Sequence, residues 1–335
     1  MQSRLIRAEI LLAVELLAFW PVWRWYVHRL NDHSDEAWGI VALVTAVAFA
    51  FWHKRESGSA IAKNGIPISP QKRGADRGFA ERKRDEEEMR GEEGETRRSG
   101  QIPLVSSSPC FLVSPPLRAS SAFSPPLRLI LPATLLLCYS LIYPFFSPLP
   151  RAAIAVTAIA ATVSAMRFGQ RLHLGVWGLL LLALPVVASL QFYLGFPMRV
   201  VVARLAAPML QINGFAVVAE GASLNWNGDP ILIDAPCSGV KMLWTGFYLT
   251  CALTCYYKLN AKRTALACAA ALAAIIIGNT FRAAALFYVE SGAANLPLPD
   301  WTHEGVGVVV FVATAIAIAW TVGRVNRTEK CQAEK

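Results

Sequence analysis

The sequence predicts an all-α polytopic integral membrane protein, with about eight transmembrane helices and a small extracytoplasmic segment. Of its 335 residues, 55% are hydrophobic and 16% are charged, and the mean hydropathy is +0.41. Several apolar runs approach or exceed the roughly 18 residues that indicate a membrane-spanning helix. Basic residues flank these runs unevenly, as they do in membrane proteins. The first run is expected to be retained, because no small-residue cleavage site follows it.

The eight predicted spans cover residues 8–23, 37–52, 129–146, 152–166, 174–196, 240–257, 264–289 and 304–323. The second and fourth are short for a bilayer. The chain then divides into the first two spans (1–52), a cytoplasmic loop (53–126), a transmembrane domain (127–323) that includes the extracytoplasmic segment 197–239, and a cytoplasmic tail (324–335).

The loop 53–126 differs in composition from the rest of the chain. It contains "ERKRDEEEMRGEEGETRRSG" (81–100) and a Ser/Pro-rich tract in which "SPPLR" occurs twice, at 114–118 and 124–128. Segments with so few apolar residues do not form a packed core. We expect a loosely structured spacer here, and a regulatory or partner-binding loop is the alternative.

Lysine and arginine orient the spans by the positive-inside rule, which places short basic loops in the cytoplasm. Both termini are then cytoplasmic, and 197–239 faces outward; Arg199 and Arg204 are the exceptions on that outer side. The same bias explains the net charge of +9, so nucleic-acid binding is not expected. The basic residues assigned to the inner side include Arg4, Arg7, Arg167, Arg171, Lys258, Lys262, Arg263, Arg324 and Arg327.

The outer segment is expected to begin with an amphipathic surface helix over 198–211, broken by Pro208. "FAVVAEGASLNWNGDPILIDAP" (215–236) then predicts two short strands joined by a Gly/Asn/Asp turn region. This segment leads directly into Cys237.

Of seven cysteines, Cys237 is the one expected on the outer face. Cys251 and Cys255 lie one helical turn apart within span six, where small packing residues are expected. Cys237 has no disulfide partner on its side, so its thiol is either accidental or reactive. Ser238 and Gly239 let the chain turn into span six. Cys237 would therefore lie at a helix N-terminus, where free N–H groups stabilise a thiolate or an oxyanion.

Arg282 lies in the apolar run "AAIIIGNTFRAAALFYV" (273–289). Its predicted depth is about 10 Å from the outer end of span seven, since a helix rises about 1.5 Å per residue. A buried guanidinium is costly in a membrane, although its stem can let it reach the interface. Asn279 lies three residues earlier on the same face. The pair is therefore expected to point into the bundle.

His303 begins span eight in "PDWTHEGVG" (299–307). No second histidine follows four residues later, so a zinc-protease motif is excluded, and no metal or cofactor is predicted. Cys237, Arg282 and His303 head three consecutive spans near one membrane face. Cysteine with a histidine base is an activated nucleophile for acyl transfer, and a nearby arginine stabilises the charge that develops.

These residues resemble the motifs of the exosortase/archaeosortase family. "PCSG" (236–239), "NTFR" (279–282) and "WTHEG" (301–305) occur in the family's order, and the resemblance covers roughly 130–323. In carrying a histidine at position 303, the chain resembles the bacterial exosortase branch of the family. Archaeal relatives are expected to carry arginine in that role. The charged 53–126 insertion does not match the family's pattern.

The resemblance implies a cysteine protease or transpeptidase of the cytoplasmic (inner) membrane. Its substrates would be exported proteins with a C-terminal sorting signal of the Pro-Glu-Pro type (PEP-CTERM), a transmembrane helix and a basic tail. Cys237 would form a thioester, His303 would act as general acid/base, and Arg282 would stabilise the charged intermediate, with Asn279, Ser238 and Gly239 in support. Sorting of this kind often accompanies exopolysaccharide production.

Three other interpretations remain. In a non-enzymatic transporter or scaffold, Arg282 would line a substrate path. Such a path is expected to have polar residues in several spans, but Glu15 is the one other deep charge and no inverted repeat is evident. A thiol–disulfide carrier usually has a second outer cysteine, which Cys237 lacks. An inactive relative would have lost one of the motif residues, and all three are present. The oligomeric state does not follow from the sequence.

Overall fold

The computed structural model describes residues 2–30, 38–63, 125–233, 238–292, 299 and 301–333. Contacts divide the chain into a large unit, residues 1–60 and 123–335, and a second unit, residues 61–122. Of the second unit, only the end of one helix is described. The helices of the described residues are α1 (Gln2–Ala18), α2 (Trp20–Leu30), α3 (Trp38–Lys63), α4 (Pro125–Ile142), α5 (Pro148–Val163), α6 (Leu174–Ala183), α7 (Val187–Ile212), α8 (Val240–Tyr256), α9 (Ala261–Glu290) and α10 (Thr302–Ala333).

Four stretches of these helices are long and apolar enough to cross a membrane, by length and composition, among the described residues. They are Pro148–Phe168 (α5 with the π-helical turn Ser164–Phe168 that continues it), Val187–Ile212, Ala261–Glu290 and Thr302–Arg327. α1 and α2 together form a fifth if they are one span with a 58° bend. The helices therefore define a multi-pass membrane protein, as predicted. The number eight and the sidedness of the spans stay predictions.

The predicted fifth span, 174–196, is wrong as a single helix. α6 ends at Ala183 and α7 begins at Val187. Leu184 is extended, with φ −68° and ψ 154°, because the residue before a proline is kept out of the helical region and Pro185 follows it. The apolar run continues through this break, so hydropathy alone merges the two helices.

The predicted helix over 198–211 is present and has one buried side, but it is neither a separate helix nor broken at Pro208. These residues are the second half of α7, which runs unbroken to Ile212 with both Pro197 and Pro208 inside it. Proline removes one backbone hydrogen bond, but packing compensates for such losses in membrane helices. The inner side of this half is buried at Val202, Ala203, Ala206, Ala207 and Leu210.

The segment after α7 forms three strands where two were predicted: β1 (Val217–Glu220), β2 (Ser223–Trp226) and β3 (Asp229–Leu232). They make an antiparallel sheet in the order β1-β2-β3. The turn between β2 and β3 is Asn227-Gly228, and both residues have positive φ (56° and 93°), the conformation that favours Asn-Gly in tight hairpins. Phe215 and Trp226 contact Phe287 of α9 edge-on, which fixes the sheet against that end of α9.

Glycines allow close packing of α6 and α9 against α8. Cβ atoms at Gly175 and Gly178 of α6 would collide with the sulfur atoms of Cys255 and Cys251. Both cysteines are buried and free, so their predicted role as small packing residues is confirmed. Gly246 of α8 similarly faces Ile275 of α9.

Glu15 of α1 is fully buried, and one of its carboxyl oxygens accepts a hydrogen bond from Thr162 of α5 (2.9 Å). The other oxygen has no hydrogen-bond partner among the described residues. α3 extends to Lys63, beyond the predicted end of span two at residue 52. Most of the predicted loop, residues 64–124, lies outside the described residues.

Candidate active site

The described residues of the predicted site come from the beginning of α8, the last three turns of α9 and the beginning of α10, at one end of the bundle. This end, which we call the sheet end, comprises the beginning of α8, the last turns of α9, the beginning of α10 and the adjoining sheet. Cys237 lies outside the described residues. Ser238, the next residue of the chain, is the first described residue of this segment.

α8 begins in close contact with α9. Gly239 is the residue before the helix and has a left-handed φ of +79°, which glycine adopts without steric cost. A Cβ atom there would lie 2.7 Å from Nδ2 and 2.8 Å from Cγ of Asn279. Gly239 is thus required twice, by the turn into the helix and by the approach to Asn279.

Ser238 is 1% exposed, and its hydroxyl joins two other elements. Oγ donates a hydrogen bond to Oε1 of Gln191 on α7 (2.9 Å) and accepts one from the backbone N–H of Val240 (3.4 Å). The Val240 N–H is one of the unpaired donors at the beginning of α8. Ser238, the residue before the N-cap Gly239, therefore pairs with one N–H group at the beginning of α8 and joins this helix to α7.

Asn279 and Arg282 both lie on the bundle side of α9, the orientation that the sequence predicts. Asn279 is 1% exposed. The guanidinium of Arg282 packs on Gly307 of α10, where a Cβ atom would lie 3.2 Å from Nη2 and 3.3 Å from Cζ. Nε of Arg282 is buried and has no hydrogen-bond partner among the described residues. A cation is thus held between α9 and α10.

His303 is in the first turn of α10 and faces the last turn of α9. Its Nε2 lies 3.6 Å from Oε1 of Glu290. The side chains are 38% and 36% exposed, so the pair is accessible to water. At this distance the contact is electrostatic and too long for a hydrogen bond.

α10 connects the arginine with the histidine. Gly307, which the Arg282 guanidinium contacts, follows His303 by four residues, so the two positions share a face about 6 Å apart along the helix. Arg282 also lies one turn from Asn279, which contacts the residue before α8. The structure therefore brings the "SG", "NTFR" and "WTHEG" segments to one end of the bundle.

Sequence reasoning missed Glu290 of this end and Gln191 of α7, which contacts it through Ser238. Each carries a signal. Glu290 is an acidic residue at a helix C-terminus, where the helix dipole disfavours negative charge. Gln191 is a polar amide in an apolar helix, where a polar group usually has a specific partner. No group of three potential metal ligands occurs among the described residues.

Together, the fold and this polar end define a multi-pass membrane protein with a candidate site where three helices meet. A family model described as transmembrane exosortase (Exosortase_EpsH) matches residues 101–320, which is more than half of the chain. The chain belongs to the transmembrane exosortase family, a family of membrane cysteine transpeptidases. No curated protein and no solved structure matches it.

Proposed function

We propose that this protein is a membrane cysteine protease or transpeptidase that cleaves the C-terminal sorting signal of exported proteins. The observation that carries the proposal is the placement of the Arg282 guanidinium on Gly307, one turn from His303. An arginine with a buried N–H donor, packed one helical turn from the histidine position, suits a reaction in which negative charge develops on sulfur or oxygen. Membership of the exosortase family supports the same reaction class.

In the proposed reaction, the Cys237 thiolate attacks the carbonyl carbon of the scissile peptide bond. The C–N bond breaks, His303 gives a proton to the leaving amine, and a thioester links the substrate to Cys237. Water or an acceptor amine then attacks the thioester and gives a proton to His303, and the C–S bond breaks to restore the thiolate. Arg282 stabilises the thiolate and the tetrahedral oxyanion. Water gives proteolysis, and an amine gives anchoring at the surface.

The finer features of the proposal follow the family. The signal is of the PEP-CTERM type, with its transmembrane helix in the same bilayer, and the site faces the extracytoplasmic side of the inner membrane. Both termini are cytoplasmic. A link to exopolysaccharide production is part of this proposal. Asn279, Ser238 and Gly239 support the site by fixing the beginning of α8, through the contacts described above.

The test is co-expression with a candidate substrate that carries a Pro-Glu-Pro-type C-terminal signal, followed by gel mobility. We expect the wild type to shorten the substrate and Cys237→Ala and Cys237→Ser to leave it intact. Cys138→Ala is the matched control, because Cys138 is a free, exposed cysteine of α4, and it should process as the wild type does. If Cys237→Ala processes equally well, the nucleophile assignment fails and a transporter or scaffold becomes the better interpretation.

A further inference from the structure

One face of α7 contacts the chain on both sides of residues 234–237. Gln191, Gly195 and Arg199 are spaced four residues apart, so they form a stripe along the helix. Gln191 and Arg199 are about 12 Å apart along the axis, since a helix rises about 1.5 Å per residue. The family motifs do not include this stripe, and the proposed reaction does not use it.

The Gln191 contact lies on the C-terminal side of Cys237. Oε1 of Gln191 accepts the Ser238 hydroxyl at 2.9 Å. Because that hydrogen is directed to Gln191, the Ser238 oxygen is oriented to accept the Val240 N–H. Gln191 thus holds Ser238, which pairs with the first N–H group of α8 and directly follows Cys237 in the chain.

Gly195 leaves the space that this arrangement needs. A Cβ atom at position 195 would lie 2.9 Å from Nε2 of Gln191, so the carboxamide lies over the glycine. Alanine has a higher helix propensity than glycine. The absence of alanine at position 195 is consistent with a need for the Gln191 side chain to lie over this glycine.

The Arg199 contact lies on the N-terminal side. Nη1 donates to the backbone carbonyl of Ile233 at 3.4 Å, and Nε donates to the carbonyl of Gly195 at 3.3 Å. Ile233 directly precedes residues 234–237. Arg199 was an exception to the charge bias in the sequence, and this hydrogen bond gives it a specific structural role.

We propose that Gln191 is a positioning residue for Cys237, acting through Ser238, and that Arg199 holds the chain to α7 at Ile233. The inference rests on the proposed function in that Cys237 is the nucleophile. Nucleophiles are held to within about 0.5 Å of their productive position, and small displacements are costly to the rate. Gln191 acts through Ser238 on the beginning of α8, where the helix N–H groups stabilise a thiolate.

The test measures Cys237 itself, without substrate. Purified full-length protein in detergent is alkylated with N-ethylmaleimide across a pH series, and the peptides containing Cys237 and Cys138 are quantified by mass spectrometry. We expect Gln191→Ala and Ser238→Ala each to slow Cys237 alkylation about tenfold at neutral pH, with little change at alkaline pH. Cys138, on α4, is the internal control and should keep its profile.

Three further variants separate positioning from general stability. Gly195→Ala should displace the Gln191 carboxamide and shift the Cys237 profile in the same direction, although it favours the helix. The double variant Gln191→Ala/Ser238→Ala should be no worse than Ser238→Ala alone, because Ser238→Ala already removes the hydrogen bond to Gln191 together with the one from Val240. Gln211→Ala is the matched control, since Gln211 donates to Val217 from the same helix (2.8 Å), and it should leave the profile unchanged.

The proposal is overturned if Gln191→Ala leaves the Cys237 profile at its wild-type position, if the two single effects add in the double variant, or if Gln211→Ala causes the same shift. Failure of the proposed function gives a different result. In that case the wild type does not process substrate, yet Gln191→Ala still shifts the alkylation profile.

Discussion

Gly239 offers the sharpest perturbation of the candidate site, because it serves both the turn before α8 and the contact with α9. In Gly239→Ala, the left-handed φ of +79° costs about 1–2 kcal/mol for a residue with a Cβ atom. The new Cβ atom would also lie 2.7 Å from Nδ2 of Asn279, and overpacking of this kind costs about 1–3 kcal/mol. We therefore expect Gly239→Ala to reduce the free energy of unfolding by about 2–5 kcal/mol.

Gly221→Ala is the matched control. Gly221 also has a positive φ (+60°), but a Cβ atom there would meet no other atom within 4 Å, so only the backbone cost of about 1–2 kcal/mol applies. The assay is equilibrium unfolding of purified protein in mixed micelles of mild detergent and dodecyl sulfate. In Gly239→Ala/Asn279→Ala, the steric part is relieved. The double variant should therefore be less destabilised than the sum of the single changes by about 1–3 kcal/mol.

The reasoning is refuted if Gly239→Ala is no more destabilising than Gly221→Ala, or if the two changes in the double variant are additive. Either result would mean that the beginning of α8 does not approach Asn279 closely. The Cys237 segment would then not be joined to the Arg282 helix by this contact.

Two further predictions concern the other contacts of the sheet end. Gly307→Ala should displace the Arg282 guanidinium, because its Cβ atom would lie 3.2 Å from Nη2. It should lower substrate processing about tenfold or more, although alanine favours the helix. A wild-type processing rate in this variant would contradict the placement of the guanidinium. Glu290→Gln should lower processing about tenfold by weakening the contact with His303 (3.6 Å). Glu304→Gln, which changes the residue after His303, is the control and should have little effect. Equal effects of the two variants would argue against a specific pairing of Glu290 with His303.

The local chemistry of the site was predictable from particular residues. Asn279 and Arg282 are polar groups in an apolar helix, and the cost of exposing them to lipid directs them into the bundle. Gly239 precedes a long apolar run, where a turn into a helix is expected. The segments "NTFR" and "WTHEG" could be brought to the same end because consecutive spans alternate in direction.

The features that the sequence did not predict depend on packing or on distant contacts. The break at Leu184-Pro185 lies inside a continuous apolar run, so a hydropathy window covers both helices. Pro208 suggested a helix end, yet α7 continues through it. β3 is only four residues long and includes Pro230, which argues against a strand in isolation.

The pairing of Glu290 with His303 is a contact between the end of one helix and the beginning of the next. The sequence contains no measure of the distance between the two side chains, although they are neighbours in the fold. The same holds for Gln191 and Ser238, which are 47 residues apart. Such contacts depend on how α7, α8, α9 and α10 pack, and no local pattern encodes that arrangement.

The most direct test of the central claim is to look for the covalent intermediate on Cys237. Purified enzyme is mixed with a substrate that carries the sorting signal, quenched in acid, digested and analysed by mass spectrometry. We predict that the peptide containing Cys237 carries the acyl group of the cleaved substrate, and that hydroxylamine removes it, as expected for a thioester. Cleavage of the substrate with an adduct on another residue, or with no thioester at Cys237, would contradict the claim.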